Sequence, residues 1–63
     1  MNKSTIDSKV LVFAKSIITK DTEITDDFVS DNFKTLEKEF NNTLPSYYKR
    51  IFEDMLFTEK GNL

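Results

Sequence analysis

The sequence predicts an all-α fold: a small three-helix domain over residues 1–63, with homodimerisation as one way to complete its core. Three observations predict it. Apolar residues recur in steps of four and three along three separate stretches. The residues between those stretches, Thr25, Asn41, Asn42 and Pro45 among them, are those that start and stop helices. The stretches are joined by short connections, which suits antiparallel neighbours. The alternative is an α+β fold with residues 9–13 as a strand, because Val10-Leu11-Val12-Phe13 is rich in β-favouring side chains.

The first stretch runs from about Thr5 to Thr19. Ile6, Val10, Phe13 and Ile17, widened by Leu11, Ala14 and Ile18, cover an arc of roughly 160° on a helix. Ser4 is the expected N-cap, with Asp7 placed to bond back as the acid of a capping box. The second stretch runs from about Asp26 to Asn41. Thr25 is its expected N-cap, Asp26 and Asp27 suit the positive end of the helix dipole, and Ile24 and Val29 have hydrophobic-staple spacing. Its seam, Val29, Phe33, Leu36 and Phe40, is only about 60° wide. Asn41 and Asn42 suit the left-handed backbone that ends a helix.

The third stretch runs from about Pro45 to Lys60, with Pro45 in the first turn and Gly61 at the C′ position. Leu44, Tyr47, Tyr48, Ile51, Phe52, Met55 and Leu56 cover roughly 180° of it. One neighbour cannot cover half a circumference, so this helix is expected between the other two or against another chain.

Composition excludes much chemistry. The 63 residues include no cysteine and no histidine. Disulfides, thiolate nucleophiles, cysteine zinc sites and the commonest general base are therefore absent. The single glycine rules out a glycine-rich phosphate loop. Carboxylates are plentiful, but neighbours such as Asp26-Asp27 and Glu53-Asp54 diverge by about 100° on a helix and fall on polar faces. No catalytic residue, cofactor or metal site is expected. No apolar run approaches the roughly 20 residues of a membrane span or the shortest leader, so the protein is expected to be cytoplasmic. A domain this small usually needs unusually good packing or a partner chain.

Charge is unevenly spread. Nine basic and eleven acidic residues leave a net charge of -2. Residues 1–20 carry four Lys and one Asp, residues 21–45 two Lys and seven acids, and residues 46–63 three of each sign. The reading favoured by this pattern is a basic first helix packed beside an acidic second one, within one chain or between two. The rival is a nucleic-acid surface built from Lys9, Lys15, Lys20, Lys49 and Arg50. It suffers because Lys15 lies about 120–140° around the helix from the side that Lys9 and Lys20 share.

Some apolar residues fall outside the core arcs. Val12 lies opposite the apolar face of the first helix, Phe28 about 80° from the seam of the second, and Phe57 on the charged side of the third. With Tyr47 and Phe52 from the broad apolar arc of the third helix, these are the expected partner-binding residues: Val12, Phe28, Tyr47, Phe52 and Phe57.

Leu36-Glu-Lys-Glu-Phe40 followed by Leu44-Pro45-x-x-Tyr48-Lys49 resembles the opening of SUKH immunity-superfamily domains. Those begin with a helix, an LP turn and a second helix bearing a tyrosine and a basic residue. The resemblance spans about 20 residues and implies a binding or neutralising role. The functional expectation is a non-catalytic intracellular protein-binding regulator, an inhibitor, adaptor or immunity-type protein. The alternatives are a small DNA-binding regulator and a structural oligomer subunit.

Overall fold

A computed structural model describes residues 3–41 and 43–63. They form three helices: α1 (Lys3–Ile17), α2 (Asp26–Glu39) and α3 (Tyr47–Gly61). Among the described residues there is no strand, so residues 9–13 are helical and the all-α reading holds. The β-favouring run is overruled by its position on an amphipathic helix whose Val10 and Ala14 are fully buried.

Helix ends show where local chemistry was read correctly and where it was not. Ser4 is already inside α1 and does not cap it. Asp7, expected to bond back to the cap, instead accepts a hydrogen bond from the Tyr48 hydroxyl of α3. A buried phenol needs a partner more than an exposed helix end does, since water can serve the latter. α1 stops two residues early. Thr19 and Thr22 then close a turn through their own hydroxyls at 2.7 Å.

α2 starts as expected. Thr25 is extended (φ -94°, ψ 167°) and its hydroxyl accepts the Phe28 N–H at 3.1 Å. At its far end Asn41 takes the left-handed conformation with φ 53°. Asn42 lies outside the described residues. The N–H of Leu44 donates to Glu37 Oε2 at 2.8 Å, which ties the connection back to α2.

α3 begins two residues after Pro45. The carbonyls of Pro45 and Ser46 accept the N–H groups of Tyr48 and Lys49, a tight lead-in turn. The expected placing of Gly61 at the C′ position is corrected. Gly61 is the last residue of the helix, and no glycine has a positive φ. The cap falls at Asn62, whose N–H reaches the Glu59 carbonyl.

α3 is the central element. Both α1 and α2 pack on it, and they touch each other far less. The core is Val10, Ala14 and Ile18 of α1 and its end, Val29, Phe33 and Leu36 of α2, and Leu44, Tyr48, Phe52 and Leu56. Phe52 is wedged between the other two helices, its ring 5.8 Å from Phe13 and 6.2 Å from Phe33. Within one chain, basic α1 therefore packs chiefly on α3 and not on acidic α2. The narrow seam of α2 is spent on α3, which alone has an apolar arc wide enough for two neighbours. The one salt bridge among the described residues joins α1 to α3, Lys15 Nζ to Glu59 Oε1 at 3.9 Å.

Candidate docking groove

Because α1 and α2 lean on α3 rather than on each other, the side of the molecule away from α3 is left open. A groove of about 410 Å³ runs there. α1 contributes Lys9, Val12 and Phe13, and α2 contributes Leu36, Glu39 and Phe40. Its floor is apolar, and Lys9 and Glu39 stand on opposite walls. The Lys9 ammonium lies 5.7 Å from the centroid of the Phe40 ring. Lys9 lies midway along α1, and Phe40 sits just past the end of α2.

The expected partner-binding residues separate into three groups. Val12 is 68% exposed and lines the groove. Phe28 stands eleven residues before Glu39, so it falls about 20° from it around α2, on the groove side. It is half-buried and packs on the core, which leaves less of it exposed than expected. Tyr47 and Phe57 are exposed on α3 but are ten residues apart, about 80° around the helix, and do not form one patch. Tyr47 instead stacks on Tyr48 at 5.0 Å. Phe52 is a correction: its exposure is 0%, because α1 and α2 cover both of its flanks, and it offers no surface to a partner.

The basic residues are not gathered. Lys9 sits over Phe40, Lys15 reaches Glu59, and Lys20 is exposed beyond the end of α1. Lys49 and Arg50 line a separate depression that they share with Asp26, Glu53 and Asp54. A phosphate approaching there meets three carboxylates as well as two cations.

The groove residues missed from sequence are Ser8, Phe13, Ser16, Leu36, Glu39 and Phe40. Phe13, Leu36 and Phe40 had been read as ordinary core, correctly as far as their helix faces go. One signal pointed further: the 160° arc of α1 is much wider than the 60° seam of α2, so α2 cannot cover all of it.

Among the described residues, one titratable group is perturbed. Burial pushes the Tyr48 hydroxyl above its usual 10.0, and the adjacent Asp7 carboxylate adds to the shift. Its hydrogen bond to Asp7 is structural, since it ties α3 to α1.

No protein family, curated protein or solved structure matches the chain. Among the described residues, no helix is long and apolar enough to cross a membrane.

Proposed function

We propose that this chain is a non-catalytic, cytoplasmic protein-binding regulator of the inhibitor, adaptor or immunity type, and that its docking surface is the α1–α2 groove. The observation that supports this reading is the groove itself: an apolar floor between two helices, with Val12 exposed on its rim and one charge on each wall. Two helices with an open furrow between them offer the seat that a further amphipathic helix needs. The apolar floor supplies the driving force, and the wall charges set orientation. The sequence resemblance of Leu36–Phe40 and Leu44–Lys49 to the opening of immunity domains favours the same reading. The DNA-binding alternative has weaker support, because its five basic residues are scattered over α1, the connection that follows it and α3.

Site-specific photo-cross-linking tests the reading. A photoreactive side chain placed at position 12 should give protein adducts heavier than the monomer in cells. The same group at position 50, outside the groove, should not. Equal adducts at both positions, or adducts at 50 alone, would remove the groove from consideration.

A further inference from the structure

We infer that the groove is filled by a second copy of this chain, related to the first by a two-fold axis running along the groove. The inference rests on the docking role proposed above and names the occupant. Its first support is charge. The groove residues of α1 include Lys9 and no acid, and those of α2 include Glu39 and no base. The Lys9 ammonium lies 5.7 Å from the centroid of the Phe40 ring, and Phe40 follows Glu39 directly, so the two opposite charges belong to the same stretch of the groove, on facing walls.

A symmetric dimer buries the same patch on both copies. Rotation about an axis along the groove lays α1 of one copy over α2 of the other. Lys9 then meets the partner's Glu39, and the pairing occurs twice. Rotation about an axis across the groove would stack α1 on α1 and bring Lys9 toward the partner's Lys9. The distribution of charge thus selects one of the two face-to-face arrangements.

The second support is the apolar content of the same surface. Val12 is 68% exposed, and Phe13 and Phe40, which line the groove, are only partly buried. Face-to-face pairing covers all three in both copies and converts two open three-helix units into one closed layer of four helices over the shared floor. Tyr47 and Phe57 stay outside that contact.

Sedimentation velocity on the full chain, from about 5 to about 500 µM, tests the inference. The wild type should shift from monomer to dimer as concentration rises, and Val12→Glu should stay monomeric. Lys9→Glu and Glu39→Lys should each weaken the dimer roughly tenfold by turning attraction into repulsion at two symmetric points. The double reversal should restore it. Circular dichroism at the lowest concentration checks that each variant is folded, and the charge reversals carry the test if Val12→Glu is not. A wild type that is monomeric throughout overturns the inference, while adducts to another protein at position 12 would then still uphold the docking role. A dimer indifferent to all four variants also overturns it, because the contact then lies on another face.

Discussion

The Tyr48 hydroxyl donates a hydrogen bond to Asp7 Oδ1 at 3.0 Å, joining α3 to α1 across 41 positions of sequence. Tyr48 is 2% exposed, so this bond satisfies a polar group that the core would otherwise bury unpaired. The same arrangement opposes ionisation of the phenol. Its folded-state value is raised above 10.0, so the native state holds a proton that the unfolded chain gives up. The corresponding stability is intact below about pH 10 and is lost as pH climbs through the raised value. Urea midpoints should therefore be flat near pH 8–9 and fall above pH 10. Tyr48→Phe should fall less steeply over the same range. Equal slopes for the two proteins would show that ionisation of Tyr48 does not drive the alkaline loss.

Phe52 and Phe57 are five residues apart on α3 and have opposite fates. Phe52 is fully buried between Phe13 and Phe33, and Phe57 is 55% exposed. Phe52→Ala should cost about 3–5 kcal/mol, comparable with the whole stability expected of so small a domain. Loss of cooperative unfolding by circular dichroism is the expected result. Phe57→Ala should change the midpoint by no more than about 0.5 kcal/mol.

Thr25 and Gly61 test the helix ends. The Thr25 hydroxyl accepts the Phe28 N–H, and Thr25→Ala should cost about 1 kcal/mol. Gly61 is helical, and a Cβ added there would meet nothing within 4 Å. Gly61→Ala should therefore stabilise the protein, by about 0.5 kcal/mol given its place at the last turn. A left-handed C′ glycine would give the opposite sign, so thermal midpoints of this one variant separate the two conformations.

Sequence carried the three helices and most of the core because helical periodicity is written in every turn: Val10, Ala14, Phe33, Leu36, Phe52 and Leu56 fall where their spacing puts them. The Thr25 cap and the left-handed Asn41 were legible for the same reason, since each depends on neighbours within four residues. Asp7 was misread because its partner is 41 residues away and nothing local announces it. The groove was only half legible. Val12 stood out as an apolar residue on a polar face. That Phe13, Leu36 and Phe40 line a surface depends on how far α1 and α2 stand apart, which the competition for α3 decides. Net charge by segment left open whether α1 and α2 meet within one chain or between two; within the chain, apolar area decided which helices pack.

The groove as the face of association is tested most directly by ¹⁵N–¹H spectra of the full chain on dilution from about 1 mM to about 20 µM. Amide shifts should move at Lys9, Val12, Ser16, Leu36 and Glu39 and stay fixed at Arg50 and Phe57. Shifts that move around Tyr47 and Phe57 instead, or that move nowhere, would contradict it.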